Sequence, residues 1–448
     1  MIRQMTAPLQ FLQEFRQQLL GVFTYRADAL FELIDALLLT LDPRSPIELS
    51  LSPAFRRRFA SVYDALRQGV IDPELARQLL TSAEPADAIQ IAGFAVYATD
   101  STIAPRPDAK TLPDRGYVYA ADRDNTVVGH QYNWLGRIIA QGQSWFAPRD
   151  VERVATHTTP AAVAAEQVKR LAMTVPTLER ATIVADSHYA KRAFLAAFLN
   201  LPAARVFALV RLACNRVLYY SPPPWTGKRP KGRPRLHGDK FTLHSPPAPD
   251  RHESFRLTKA TVRVSAWSGL HFKDLAALVG LVVRIEFLKA DGQPMYQRPL
   301  WLFWSGPTTV PLEALCLMYL LRFGIEHFFR FAKQHLGLLI AQTPTLLACE
   351  TWVWVVALAY AQLLLARTLV TAQPRPWDPK ARRDAHRPLT PGQVRRAWLT
   401  FSHGLGTPTV APRPSGKAPG RAVGFKPQPR AKCPVISKRQ NQVVAALA

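Results

Sequence analysis

The sequence predicts a mixed α/β fold preceded by a helical segment. Two observations carry that prediction. Apolar residues recur at helical spacing up to about residue 85, and from about residue 90 they form apolar or alternating runs typical of strands. Helical stretches then alternate with strands, which predicts a sheet with helices packed on it. A chain of 448 residues is long enough for one large core or for a core with appended modules.

Residues 1–85 are predicted to form a helical N-terminal domain. Its helical runs are LQFLQEFRQQLLGVF, ADALFELIDALLLTL, SPAFRRRFASVYDALRQG and PELARQLL. Ser52 followed by Pro53 is typical of a helix start, so the third helix is predicted to begin there. The arginines at 56–58 either contact DNA phosphates or lie on a solvated helix face, and the sequence leaves both possibilities open.

Residues 86–212 are predicted to form the first part of the α/β core. The strands are IQIAGFAVYATDSTI, VVGHQYNWLGRII, ATIVADSHY and ARVFALVRL, and the helices between them are AAVAAEQVKRLAM and KRAFLAAFL. The first strand carries Asp100, and the third ends at Asp186. Acidic residues at strand ends are often catalytic, because the backbone there is rigid and the edge of the sheet is open.

Residues 213–298 are predicted to be a mostly β insertion. The stretch SPPPWTGKRPKGRPRLHGDKF is too rich in Pro, Gly and cations to pack a core, whereas FRLTKATVRVSAW and LVGLVVRIEFL predict strands. In the basic stretch, Lys231, Arg233 and Arg235 suit a narrow A·T-rich minor groove, and a merely cationic loop is the alternative. The strand PLWLFWSG then opens residues 299–371, predicted to be the second part of the core.

The run MYLLRFGIEHFFRFAKQHLGLLI is predicted to be one amphipathic helix. Polar residues recur along it at spacings of three, four, four and three, at Tyr319, Arg322, Glu326, Arg330 and Lys333. At roughly 100° per residue these side chains fall within about 80° of arc, opposite an aliphatic face. One carboxylate among cations suits a site that holds a metal ion and grips phosphates around it. The alternative is a helix whose polar face is simply solvated.

Asp100, Asp186 and Glu326 are predicted to converge in one core. Three carboxylates from separate elements can hold two divalent ions, one activating a water and one stabilising the leaving oxygen of a phosphodiester. Mg²⁺ suits such a site because it prefers oxygen ligands and keeps positions for water and substrate, and Mn²⁺ is the other candidate.

The charge balance predicts a polyanionic partner. Lys and Arg number 57 against 32 Asp and Glu, a net charge of +25, and nucleic acid is the usual partner of so basic a chain. Residues 372–448 hold about half of the excess, since 15 Lys and Arg stand there against Asp378 and Asp384. Because this basic tail is also rich in Pro and Gly, it is predicted to be disordered until it binds DNA.

Cysteine usage and hydropathy predict an intracellular protein outside the membrane. The four cysteines are far apart and form no CxxC or Cys/His pair, which argues against a disulfide framework or a zinc ribbon. The most apolar stretch, residues 351–366, is short for a membrane span and is predicted to be a buried core helix. The expected location is the cytoplasm, in association with the nucleoid.

In its motifs the chain resembles the DDE transposases of bacterial insertion sequences. The spacing Tyr319-x2-Arg322-x3-Glu326-x6-Lys333 fits the YREK pattern of that group at every position. Asp100 in YATDST, Asp186 in VADSHY and the insertion before the glutamate helix add to the resemblance, which covers roughly residues 90–370.

The resemblance implies an RNase H-like core in which Asp100, Asp186 and Glu326 bind two metal ions. It implies that Tyr319, Arg322 and Lys333 hold the 5′-phosphate side of the transposon end. Arg330 and Arg211 are further candidate DNA contacts, and where members stack a flipped base, Phe323, Trp301 and Trp304 are the candidate aromatic residues.

The implied activity is cut-and-paste transposition of double-stranded DNA by a homodimer in a synaptic complex. A nuclease that cuts without joining, or a catalytically silent DNA-binding derivative, is the alternative. At two positions this chain departs from the usual pattern, with His188 in place of a small residue and Phe323 in place of Trp.

Overall fold

The computed structural model of the protein is built on one large mixed β-sheet that separates two hydrophobic cores. Along the strand β4 (Phe94–Pro105), Phe94, Val96 and Ala98 face one core, whereas Ala95 and Tyr97 face the other. The described residues are 7–120, 125–140, 144–176, 178–201, 205–224, 235–257, 260–371, 373, 377, 388–413, 420–426 and 428–437. The predicted mixed α/β class is confirmed.

The N-terminal helices pack on a long apolar helix from the other end of the chain, α9 (Leu346–Ala366). They are α1 (Ala7–Gly21), α2 (Ala27–Leu39), α3 (Ala60–Gln68) and α4 (Pro73–Ser82), with a short hairpin of β1 (Phe23–Tyr25) and β2 (Val70–Ile71). The N-terminal segment therefore shares its core with α9.

The third predicted helix begins later than expected. Residues Pro46–Leu51 form a 3₁₀ turn and α3 starts well after it, so the predicted helix start at Ser52 is wrong. Arg56 and Arg57 instead lie in the connecting loop, where they pair with the buried carboxylate of Glu32 at 2.8 and 3.3 Å. Because a buried acid needs cationic partners, these two arginines are drawn inward to stabilise the fold.

Five strands form the predicted RNase H-like core. They are β4, β6 (Asn125–Ile138), β7 (Phe146–Val154), β8 (Arg180–Ala185) and β9 (Val206–Arg211), in the spatial order β7-β6-β4-β8-β9. The pairs β4–β8 and β8–β9 are parallel, and the pairs β4–β6 and β6–β7 are antiparallel. The connections are α5 (Pro160–Thr174) between β7 and β8, and α6 (Arg192–Leu195) between β8 and β9. Two short strands, β3 (Gln90–Ile91) and β5 (Gly116–Ala120), pair with β4 and β6.

The predicted β insertion continues this sheet. Its strands are β10 (Val217–Tyr220), β11 (Lys240–Thr242), β12 (Arg251–Leu257), β13 (Ala260–Phe272) and β14 (Leu275–Leu288). The next strand, β15 (Leu300–Trp304), pairs with β14 on one side and with β9 on the other. The insertion and the core thus form one sheet. Lys231 and Arg233 lie outside the described residues.

The glutamate helix is two helices, so the prediction of a single helix is wrong. The chain forms α7 (Leu312–Leu320), turns at residues 321–322, and continues as α8 (Phe323–Gln334). Through the turn the backbone bonds tighten, as in Arg322 N to Tyr319 O at 3.0 Å and Gly324 N to Leu321 O at 2.9 Å. The turn lets α7 pack on β8, β9, β12 and β13 while α8 packs on β4, β6 and β7.

The apolar stretch at 351–366 is a core helix, as predicted. Among the described residues one helix, α9, is long and apolar enough to cross a membrane, but its side chains are buried inside the fold. Its polar Gln362 accepts a hydrogen bond from Arg16 of α1 at 2.5 Å, and Arg16 also pairs with Asp35 of α2 at 2.7 Å. The side-chain oxygen of Gln362 thus finds its donor on an N-terminal helix, whereas its Nε2 is buried without a hydrogen-bond partner among the described residues.

Part of the tail is folded, so the prediction of disorder throughout residues 372–448 is wrong. The helix α10 (Pro391–Phe401) packs on α2 and α9 through Val394, Ala397 and Trp398, which are buried. Apolar residues at helical spacing, together with a capping box at Thr390, stabilise this helix. Beyond it, Cys433 N donates to Lys110 O and Ile436 N to Arg115 O, both at 2.8 Å, so residues 428–437 also contact the core.

Candidate active site

The structure brings Asp100 and Asp186 side by side. Strands β4 and β8 are parallel with Ala98 opposite Val184, so two residues further on Asp100 lies level with Asp186. Neighbouring strands are about 4.8 Å apart. Burial raises the pKa of Asp100 to about 6, and repulsion from Asp186 adds to that rise, while Arg322 opposes it. The two carboxylates therefore interact electrostatically, as the strand-end positions predict.

Backbone amides orient both aspartates. Asp100 Oδ1 accepts a hydrogen bond from Ser101 N at 2.7 Å. Asp186 Oδ1 accepts one from His188 N at 2.8 Å, which caps the short 3₁₀ turn Ser187–Tyr189. The His188 side chain is exposed, so the larger residue at this position fits because it points away from the core.

Arg322 joins Glu326 to the aspartates. Its Nη1 donates to Asp100 Oδ2 at 3.0 Å, and its Nη2 donates to Glu326 Oε1. Arg322 thus links Glu326 to Asp100. Despite the cost of its own burial, Arg322 has a raised pKa, because Tyr319, Asp100, Glu326 and Asp186 all favour its charged form.

Tyr319 and Arg211 complete the inner part of the site. Tyr319 is only 7% exposed and is hydrogen-bonded to Arg322. Burial raises its pKa, and Arg322 and Arg211 oppose that rise. Arg211 is exposed at the end of β9. The structure therefore buries Tyr319 beside Arg322 and leaves Arg211 exposed at the end of β9.

The remaining predicted cations lie further out. Arg330 is exposed and Lys333 partly buried, one and two turns after Glu326 on α8. Arg235 lies in the exposed chain before β11, where it donates to Gly238 O at 3.3 Å. Arg330 and Lys333 thus lie on the same helix as Glu326, further from the aspartates. Arg235 has a local hydrogen-bond partner near β11.

Of the aromatic candidates for base stacking, only Phe323 is accessible. Trp301 and Trp304 are 5% and 0% exposed because β15 lies inside the sheet, so their proposed contact with a flipped base is wrong. Phe323 is 56% exposed, and its ring lies 6.0 Å from the Arg322 guanidinium carbon.

A buried polar network behind Asp100 was not predicted. Tyr189 donates from its hydroxyl to Asn133 Oδ1 at 2.5 Å, and Asn133 Nδ2 donates to Thr99 Oγ1 at 3.0 Å and to Gln167 Oε1 at 2.6 Å. All four side chains are buried. Because satisfied buried networks rigidify a structure, this one fixes the strands that carry the aspartates. The sequence signal for this network was Asn133, a polar residue at an inward-facing position of a predicted strand.

Exposed cations around the turn after Asp186 were also missed. Lys191 and Arg192 follow that turn, and Arg192 donates to the carbonyl of Asp274 at 3.1 Å, which brings Lys273 alongside. The pair Lys191-Arg192 so soon after a candidate catalytic aspartate was the signal. These side chains add positive charge at the open edge of the site, where a polyanion would approach.

The site offers hard oxygen ligands but is not arranged as a metal centre. Among the described residues, no three Asp, Glu, His or Cys side chains are grouped so as to hold a metal ion. The donor chemistry nevertheless fits a divalent cation, since Asp100 and Asp186 repel each other and a cation between them would relieve that repulsion.

Comparison with known proteins gives the family. A family model described as DDE superfamily endonuclease matches residues 18–272, more than half of the chain and including Asp100 and Asp186. A search of curated proteins found no match. Endonucleases of this superfamily act on DNA and generally use divalent metal ions. With the matching model and an RNase H-like sheet that sets two aspartates side by side, the chain belongs to the DDE superfamily endonucleases.

Proposed function

We propose that this protein is a transposase that cleaves DNA at the ends of an insertion sequence and joins the freed 3′ ends to target DNA. The observation that carries the proposal is the placement of Asp100 and Asp186 on adjacent parallel strands, with the Arg322–Glu326 pair packed over them. That arrangement unites the acids of a DDE site with the cations of a YREK-type helix pair.

In this proposal Asp100, Asp186 and Glu326 hold two Mg²⁺ or Mn²⁺ ions. When bound, the ions would activate the attacking water or 3′ hydroxyl and stabilise the leaving oxygen. The chain's own contribution is to position the ligands. Backbone amides hold both aspartates, and Arg322, in the turn between α7 and α8, links Glu326 to Asp100.

Arg322 has two roles in the proposal. Before DNA binds, its guanidinium balances the charges of Asp100 and Glu326. With Asp100 and Glu326 engaged as metal ligands, the guanidinium would be available for a charge-assisted bond to a DNA phosphate. Arg330 and Lys333, further along α8, and Arg211, at the end of β9, would contact phosphates further along the DNA.

Further cations extend the proposed DNA path. Lys191, Arg192 and Lys273 are exposed beyond Asp186 and supply non-specific phosphate contacts. We further propose that the protein acts as a homodimer that pairs two transposon ends, in the cytoplasm and in association with the nucleoid.

Cleavage of DNA that carries the inverted repeats flanking the gene tests the function. We expect cutting only with Mg²⁺ or Mn²⁺. Asp100→Asn, Asp186→Asn and Glu326→Gln should each abolish it while DNA binding survives, because the cations supply most of the DNA affinity. Glu166→Gln, on the exposed face of α5, is the matched control.

Each outcome assigns a function. Strong cutting by one of the acid variants removes that residue from the metal site. Cleavage without strand-transfer products identifies a nuclease that does not join ends. Tight binding without cleavage by the wild-type protein identifies the silent DNA-binding derivative.

A further inference from the structure

The helix α7 has no capping side chain of its own. It begins at Leu312 directly after Pro311, which has no side-chain acceptor for the free amides of the first turn. Glu253 on β12 supplies one instead. Its Oε2 accepts hydrogen bonds from Leu312 N at 3.0 Å and Glu313 N at 3.4 Å. The carboxylate also lies at the positive end of the helix dipole.

Arg251, two residues earlier on the same face of β12, holds the chain that leads into α7. It donates to Glu253 Oε1 at 3.0 Å, to the carbonyl of Val310 at 3.3 Å, and to the carbonyl of Thr308. We call Arg251 and Glu253 the β12 clamp. Together they tie the start of α7 and the loop before it to a strand of the insertion.

The position of α7 is transmitted to the candidate active site. Its last turn carries Tyr319, and the tight turn that follows carries Arg322. Because the backbone bonds in that turn leave little slack, a displacement of α7 along its axis moves Tyr319 and Arg322 with it. Arg322 in turn contacts Asp100 and Glu326.

We propose that the β12 clamp makes Arg251 and Glu253 positioning residues for the cleavage reaction. In this view the insertion contributes to catalysis from outside the site, by fixing the helix pair that bears Tyr319, Arg322 and Glu326. The inference rests on the proposed function, since the reaction that is positioned is DNA cleavage.

Two variants and a control test the clamp in the full-length protein. Glu253→Ala removes the acceptor, whereas Glu253→Gln keeps an oxygen that can accept from Leu312 N. The control is Glu286→Ala on β14, which breaks ion pairs with Arg263 and Arg284 in the same insertion. The measurements are the single-turnover cleavage rate, the DNA dissociation constant, and hydrogen exchange along residues 308–326.

We expect Glu253→Ala to slow cleavage roughly 5- to 10-fold, the factor that corresponds to loss of a helix cap. The DNA dissociation constant should stay within about 2-fold, because the phosphate-binding cations remain in place. Glu253→Gln should restore most of the rate. Amides in α7 and in the turn up to Arg322 should exchange faster in Glu253→Ala alone.

The outcomes separate the clamp from the proposed function. Wild-type cleavage by Glu253→Ala overturns the clamp and leaves the function standing. Equal loss of rate in Glu286→Ala also overturns it, because the effect would then be general destabilisation. If the wild-type protein does not cleave DNA, the proposed function fails. In that case hydrogen exchange still tests whether the β12 clamp positions the turn that carries Arg322. Faster exchange confined to residues 312–313 in Glu253→Ala would show that it does not.

Discussion

At the residue scale, the site is organised by the charge that Asp100 carries. Burial and the neighbouring Asp186 make its ionised form costly, and Arg322 only partly offsets that cost, so its pKa is raised to about 6 from the ordinary 3.8. A carboxyl group shifted upward stabilises the fold most when it is protonated. The stability is present below about pH 4 and is lost as the pH rises through about 6.

Removing this charge should therefore stabilise the metal-free protein at neutral pH. In buffer with a chelator, Asp100→Asn is expected to unfold at a higher temperature than the wild type at pH 7.5. The gain should be up to about 3 kcal/mol, since each pKa unit corresponds to about 1.4 kcal/mol. At pH 4.0 the difference should largely vanish. Thermal denaturation followed by circular dichroism measures both, with Glu166→Gln as the control. A gap of the same size at both pH values would contradict the assignment.

At the scale of elements, the turn between α7 and α8 depends on a close approach at Gly324. A Cβ added there would lie 2.8 Å from Ile138 Cδ1 on β6 and 3.9 Å from the carbonyl of Trp145. The glycine thus lets α8 lie close against the strand next to β4. Because Gly324 lies between Arg322 and Glu326 in the chain, a shift of the backbone here moves two side chains of the site.

Gly324→Ala should consequently destabilise the protein and disturb the site. The expected loss is at most about 1 kcal/mol, because the close contact is with Cδ1, the flexible end of Ile138, and the higher helix propensity of alanine offsets part of the overpacking cost. Gly392→Ala in α10 is the matched control, because its nearest neighbour is Arg396 Nη1 at 3.9 Å, and an alanine in open helix is favoured by roughly 1 kcal/mol. Urea denaturation of both variants measures the contrast. An unchanged midpoint for Gly324→Ala would show that Ile138 moves aside freely.

The elements and the aspartate pair were predictable because their signals are local. Asp100 and Asp186 each end or interrupt an apolar run, so their strand positions follow from periodicity alone. The break at residues 321–322 was not predictable, since the apolar spacing continues through it and only packing against two different sets of strands bends the chain. The pairing of Leu302 with Arg211 and the capping of α7 by Glu253 each join segments that are far apart in the sequence. Neither contact can be recognised from the residues around it in the chain.

At the scale of the whole molecule, the basic tail is partly a structural element. The guanidinium of Arg395 is buried and donates to the carbonyl of Leu37 at 3.0 Å, and Arg56 donates to Thr409 Oγ1 at 2.5 Å. Arg16 likewise donates to the carbonyl of Gly406 at 3.0 Å. The charge of Arg395 is therefore used inside the fold and is not available to a polyanion.

Loss of the α10 anchor should therefore destabilise the entire fold. Trp398→Ala removes a side chain that is 1% exposed and should cost about 3 to 5 kcal/mol, as truncation of a buried Trp usually does. Phe425→Ala, at a tail position that is 60% exposed, is the control and should change stability by less than about 0.5 kcal/mol. Chemical denaturation measures both. Equal free energies of unfolding for the two variants would show that α10 does not stabilise the rest of the fold.

The packing of the first helices on α9 also dictates when the protein can fold during its synthesis. The apolar face of α2 is complete once Leu39 has been made, yet its partner is complete only at Ala366. At about 5 to 20 residues per second, the ribosome needs roughly 15 to 65 seconds to bridge that interval. The apolar face of α2 is therefore exposed to solvent in the nascent chain until α9 has been synthesised. We expect chains that end before α9 to expose this apolar surface and to aggregate, which the soluble fraction of such a truncation measures.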